Sequence, residues 1–275
     1  MSQFRSIFRQ ISTNNSYQVK DYGPNNRAVS TFAPDDIAGL TGWIDANDST
    51  SITLDGDFVD SVTNKGSVTC TWQANVAAAR PFLSASLINT RDVISFDGVD
   101  DILSSSVGAG TLFGATTPTT YTYGVVMKPN RIGTSNANPY ALDVITGMAS
   151  SGWTVTVGTS QGLTSRLWHD FGSSDAADYV TSRPAQVVSG STMSMIITFA
   201  AKTYSMYING TFVGSTTRSV NTTVGLNSVR IGNEIFPSGG DPALFDLCEL
   251  VLYSTEIAAA DIATLTDYFD DKWGI

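Results

Sequence analysis

At 275 residues and 42% hydrophobic content, the chain is long enough for one large domain with a core of its own, and too apolar for wholesale disorder. It lacks the ~18 uninterrupted apolar residues that a membrane span requires, and its net charge of −10 argues against a nucleic-acid groove. Charged residues make up only 15%, the glutamates are just Glu234, Glu249 and Glu256, and Ser and Thr take over the surface, a composition that points to an all-β protein.

The N-terminal segment differs from the rest. Phe4, Ile7, Phe8 and Ile11 fall at i, i+3, i+4, i+7, one stripe of a short amphipathic helix, with Arg5 and Arg9 off the stripe. Residues 1–34 carry Arg5, Arg9, Lys20 and Arg27 against Asp21, a net +3, leaving −13 on residues 35–275. A helix this short is marginal alone. It either folds back on its own domain or docks that domain, residues 35–275, onto a larger assembly. No secretory leader is visible, so synthesis in a reducing cytoplasm is expected, with Cys70 and Cys248 as buried free thiols.

From Thr41 onward, short alternating runs recur between Gly, Asn, Asp and Pro. Tyr121, Tyr123, Val125 and Met127 form one face, as do Met193, Met195, Ile197 and Phe199. Tyr204, Met206 and Ile208 lead into Asn209-Gly210, the pair best suited to a tight hairpin turn with φ > 0 at both positions. Many short strands with almost no helix between them predict an all-β, antiparallel two-sheet sandwich. One helix closes the chain, with Ile262, Leu265, Phe269 and Trp273 on its apolar face, Asp261 in the first turn, Lys272 in the last, and Gly274 placed for a C-terminal cap.

Several patterns bear on chemistry. Gly158-Thr159-Ser160-Gln161-Gly162 matches a nucleophile elbow, but it lies between two β-patterned runs and reads as a hairpin turn. The single histidine, His169, leaves His-rich metal sites out of reach. A glycosidase needs two carboxylates flanking the sugar. No glutamate lies two or four residues from another, and Asp246 and Glu249, three apart, fall on opposite faces of a regular strand. No catalytic site is expected.

Two binding features remain. Asp97, Asp100 and Asp101 surround the Gly98 turn and offer hard oxygen ligands for calcium, or form a solvated hairpin turn. Tyr140, Trp168 and His169 offer an aromatic and polar platform for a sugar ring, or the rings belong to the core.

In this order the pieces resemble the concanavalin A-like (laminin G-type) jelly rolls of bacteriophage and bacterial surface proteins. Leu40 to Asp48 resembles the opening strand, Val93 to Asp101 the F-D-G-x-D-D turn, and Tyr207-Ile208-Asn209-Gly210 the Y-x-N-G hairpin. Glu249 to Tyr253, with the helix to Ile275, resembles the closing strand and helix. The chain departs from the family at Ala258, where a Ser cap is usual, and in lacking the paired-Glu strand of the glycanase branch. The resemblance implies a lectin-like sandwich and, with the N-terminal arm, a non-enzymatic phage virion protein. Such a head decoration or fibre would sit on the virion surface and contact other virion proteins or host-surface glycans. No cofactor would be required and no membrane engaged, and homo-oligomers are common in such roles. A glycan-depolymerising tail enzyme and a bacterial surface adhesin are the alternatives.

Overall fold

Alternating runs become strands because every second side chain can then enter one apolar layer while its neighbours face the other way. The computed structural model describes residues 32–130, 142–147, 153–160, 163–170, 179–181, 188–217, 228–232 and 243–275. Its first strands are β1 Leu40–Asp45, β2 Ile52–Asp55, β3 Phe58–Thr63, β4 Thr71–Gln73, β5 Phe82–Ile88 and β6 Arg91–Asp97. Next come β7 Leu103–Gly108, β8 Thr120–Pro129, β9 Leu142–Gly147, β10 Trp153–Ser160, β11 Leu163–Asp170 and β12 Tyr179–Thr181. The last are β13 Met193–Ala200, β14 Thr203–Ile208, β15 Thr211–Thr217, β16 Ser228–Ile231 and β17 Leu244–Tyr253. Helix α1 (Ala109–Leu112) is a single turn, and α2 (Ala259–Trp273) closes the chain. Among the described residues no helix is long and apolar enough to cross a membrane.

Every strand pairing among the described residues is antiparallel. One ladder runs β5–β6–β17–β8–β13–β14–β15, with β1 taking over from β6 along β17. The other runs β2–β3–β4–β7–β16–β9–β10–β11–β12. A Phe58–Phe82 pairing joins them. Neighbours distant in sequence, such as β1 with β17 and β7 with β16, are the crossovers of a jelly roll.

The main core lies between the ladders. Tyr121, Tyr123, Val125 and Met127 of β8, and Met193, Met195, Ile197 and Phe199 of β13, meet Val62, Trp72, Leu103 and Ile231 of the second ladder. Both faces read from the sequence therefore point inward. The Asn209-Gly210 turn has φ of 46° and 70°, as the hairpin requires. A Cβ on Gly210 would lie 2.8 Å from Thr266 Cγ2 of α2, so steric closeness adds to the backbone demand for glycine.

A second apolar cluster covers the outer face of the first ladder. Val93, Val126, Ile196, Val251 and Tyr253 pack under Ile262, Leu265, Phe269 and Trp273 of α2, with Trp43 at the side. Strands β8 and β17 are therefore buried on both faces, which is why Phe245–Tyr253 reads as a nearly continuous apolar run. Helix α2 starts at Ala258 with no side-chain cap and ends at Gly274, whose left-handed backbone (φ 70°) returns its N–H to the Asp270 carbonyl. Asn89 Nδ2 and Arg91 Nε also donate to the Lys272 carbonyl at 2.9 and 2.6 Å, satisfying the helix end. Phe32 and Ala33 pack on this cluster, and Tyr253 donates to the Pro34 carbonyl at 3.0 Å.

Glu249 sits inside this outer layer, fully buried. Its Oε1 accepts from Trp43 Nε1 at 2.8 Å and Tyr268 Oη at 2.9 Å. Its Oε2 accepts from Trp273 Nε1 and Lys272 Nζ, both at 2.8 Å. Lys272 also bridges to Asp45 Oδ2 at 2.8 Å, and Asp45 and Asp48 share Lys65 at 3.4 and 2.6 Å. Burial pushes the Glu249 carboxyl above its ordinary range, against the pull of Lys272. It lifts the Tyr268 phenol for the same reason, with Glu249 adding to the effect. At the exposed end, the Lys65 hydrogen bond holds Asp48 down at about 2. Replacing Glu249 with Ala leaves the Lys272 ammonium with Asp45 as its one remaining carboxylate and three ring or phenol donors without their acceptor, and is expected to cost about 3–5 kcal/mol. Glu249→Gln keeps one acceptor oxygen and should lose less. Urea denaturation measures both, and an alanine variant as stable as the parent would contradict the role of Glu249.

Candidate functional site

Phe4, Arg5, Ile7, Phe8, Arg9 and Ile11 of the arm, and Tyr140 of the platform, lie outside the described residues. Trp168 and His169 are consecutive in β11. Trp168 stands opposite Thr156 and Thr181, His169 opposite Val155 and Val180. The elbow-like Gly158–Gly162 segment joins β10 to β11, which pair antiparallel with Ser160 opposite Leu163. It is a strand-to-strand connection, and an elbow needs a helix after the nucleophile.

The acidic residues of β17 are spent on structure. Register against β8 slips between Leu247 and Glu249, which makes Cys248 the extra residue of a bulge. The slip overturns the expectation from regular alternation, because Asp246 and Glu249 both end on the outer face. Asp246 accepts from Ser95 Oγ at 2.7 Å and Asn130 Nδ2 at 2.8 Å. It is buried, like Glu249, and both oxygens of each carboxylate accept from protein donors. Cys248 lies between them, and burial raises its thiol well above the usual range. Cys70 is likewise buried and free.

The Asp97–Asp101 turn does bring its three acids together. One oxygen from each of Asp97, Asp100 and Asp101 lies within 4.8 Å of the others. Oxygens ligating one calcium ion at about 2.4 Å can be no farther apart than about 4.8 Å, so the spacing fits. Part of this acceptor capacity already serves the backbone. Asp97 N–H donates to Asp101 Oδ2 at 2.7 Å and Val99 N–H to Asp97 Oδ1 at 2.8 Å, while Gly98 takes φ 71°. The turn is thus held by its own backbone-to-carboxylate bonds, and its three acids stay close enough together to share a hard cation.

Sequence reasoning missed an exposed aromatic pair. Phe58 and Phe82 face each other across β3 and β5 with ring centroids 4.2 Å apart, and Leu54 is exposed nearby on β2. Arg80 lies 5.8 Å over the Phe58 ring and bridges to Asp55 at 2.8 Å and Asp60 at 3.1 Å. No local pattern marks this pair, because the two strands meet only through the joining of the ladders. A hollow of about 330 Å³ beside the Asn209 turn, lined by residues such as Met193, Ile208 and Thr211, holds no ionisable group.

Burial raises the Asp101 carboxyl to about 6, with Asp97 and Asp100 adding repulsion. A carboxyl whose folded pKa exceeds its unfolded value destabilises the fold when ionised, and that cost is relieved as pH falls through the folded pKa. In EDTA, Asp101→Asn should therefore be more stable than the parent at pH 7.5, by about 1–3 kcal/mol. The advantage should shrink between pH 6 and 4. Denaturation across that range decides it, and a gap independent of pH would refute the assignment.

The laminin G-type model of the concanavalin A-like lectin/glucanases superfamily matches residues 104–263. No curated protein matches the chain. Among solved structures, the binding domain of botulinum neurotoxin serotype D superposes with a TM-score of 0.58 at 11% identity, covering 83% of this chain and 50% of that one. The binding domain of Paraclostridial Mosquitocidal Protein 1 gives 0.57 at 11%, covering 84% and 53%. Trypanosoma rangeli sialidase, in complex with a difluorinated sugar acid, gives 0.54 at 14%, covering 86% and 33%. The chain spans about half the length of the two binding domains, and at these identities the likeness concerns fold alone. With more than half of its length matched, and with two antiparallel ladders closed by one helix, the chain belongs to the concanavalin A-like lectin/glucanases superfamily.

Proposed function

We propose that this chain is a non-enzymatic structural protein of a bacteriophage particle, a head decoration or fibre. Residues 1–34 dock it to other virion proteins, and its jelly roll is displayed toward host-surface glycans. The observation that carries the non-enzymatic part is the state of Glu249 and Asp246. A glycosidase acid must reach the sugar, whereas these two are buried and bonded to protein donors. The particle role draws on the charge division, +3 on the arm and −13 on the body. An acidic body keeps particles apart in solution, and an apolar, basic arm is the part suited to docking. The glycan role draws on the lectin-like fold and on similarity to the binding domains of two bacterial proteins.

Co-sedimentation with particles lacking the native protein tests the docking. The full-length chain should pellet with them, whereas a form starting at residue 35 should remain in the supernatant. Equal binding by both forms would move the docking surface to the sandwich, and binding by neither would remove the virion reading. Host polysaccharide incubated with the protein should show no new reducing ends.

Calcium is a hard cation that the spacing of the acidic turn admits. Asp97, Asp100 and Asp101 would hold it, and it would neutralise the carboxylate left ionised in a buried place. Millimolar calcium should raise the Tm of the parent by several degrees and leave Asp101→Asn unmoved. A calcium-insensitive parent would sink that assignment.

A further inference from the structure

The outer face of the second ladder carries a polar row. Register pairs Ser61 with Gln73, Gln73 with Ser104, and Ser104 with Arg230, across β3, β4, β7 and β16. Their chain neighbours Val62, Trp72, Leu103 and Ile231 all enter the main core. Strand alternation therefore puts Ser61, Gln73, Ser104 and Arg230 on the face turned away from it. The same row continues through the positions of Thr146, Thr154 and Asp170 on β9, β10 and β11.

Among the described residues two donors on this row have no hydrogen-bond partner, Ser104 Oγ and Arg230 Nε. Ser104 is only 7% exposed, so solvent reaches it poorly, and buried polar groups are rarely left unbonded. Arg230 is half-buried and, unlike Arg80, Lys65 and Lys272, has no carboxylate partner among the described residues. By register Asp170 stands three strands away, about 14 Å at a strand spacing of ~4.8 Å. Directly opposed strand residues on one face hold their Cβ atoms about 5 Å apart, so the hydroxyl and the guanidinium stem start side by side. What they lack in common is an acceptor.

We propose that Ser104 and Arg230 form a subsite for the carboxylate of an acidic sugar, an inference that rests on the glycan-binding reading above. The planar guanidinium donates two parallel N–H bonds to the carboxylate, a geometry that lysine cannot reproduce. Ser104 Oγ–H donates a third, and exposed Gln73 meets the neighbouring hydroxyls. The ligand carries one carboxylate at this point and is not a dense polyanion, because the −13 body repels a highly charged chain at long range. The acidic turn and the Phe58–Phe82 pair play no part in it.

The test is protein-observed NMR on the full chain with three pairs of methyl glycosides: glucuronate and glucose, galacturonate and galactose, mannuronate and mannose. At least one acid should shift the Arg230 Nε–H resonance, with affinity tenfold or more above that of its neutral partner. Arg230→Gln and Ser104→Ala should each weaken that acid by fivefold or more. Arg230→Lys should fail to restore it, which separates the fork from simple charge. Amide spectra superimposable on the parent's away from the row verify that each variant is folded. Equal binding of acid and neutral sugars, or an Arg230→Gln variant that binds like the parent, overturns the subsite and leaves glycan binding standing. No binding by any of the six sugars overturns the subsite, and a blank screen of neutral and acidic polysaccharides would then overturn the wider reading too.

Discussion

The buried Glu249 carboxylate sets the terms for the outer half of this protein. Four donors from two chain-distant pieces, Trp43 on β1 and Tyr268, Lys272 and Trp273 on α2, converge on it from above the central strand. A charge taken out of water at that depth is tolerated only if both oxygens are fully bonded. Its presence therefore specifies where α2 and β1 must lie. Apolar packing by Leu265 and Phe269 could hold a helix in several rotations, but only one rotation delivers the Trp273 ring N–H and the Lys272 ammonium to the same oxygen. The charge chain then runs outward through Asp45 and Lys65 to Asp48 at the surface.

That arrangement bears on function as well as stability. In a sandwich with both faces of its central strands covered, the first ladder has little sheet surface left for a ligand. Among the described residues the second ladder contributes nothing to the outer apolar cluster, and its row from Ser61 to Arg230 is polar. The division is one of labour: one sheet is consumed in building the scaffold, while the other keeps polar groups whose bonding is incomplete. A displayed binding domain needs both, since a rigid backing lets a few side chains recognise a ligand without reorganising first.

Much of the fold was legible in the chain. The inward faces of β8 and β13 follow from period-two alternation, the Asn209 hairpin from its positive-φ pair, and the helix end from Gly274. Each is a local property, decided within a few residues. The acidic turn was legible for the same reason, because Asp97, Asp100 and Asp101 are neighbours in sequence. The Phe58–Phe82 pair and the Ser104–Arg230 pair were not. Their members are brought together by strand pairing that joins segments 24 and 126 residues apart, and no window of sequence contains both.

The sequence by itself determined the class of the fold, its main strands, its closing helix and the family to which these belong, because alternation, turn chemistry and helical spacing are short-range codes. Only the tertiary structure decided what the acids of β17 do. Regular alternation separates Asp246 from Glu249, and the bulge at Cys248 returns both to one face. A bulge arises when two strands of unequal local length must both satisfy their ladders. Its position therefore depends on the partner strand β8 as much as on β17.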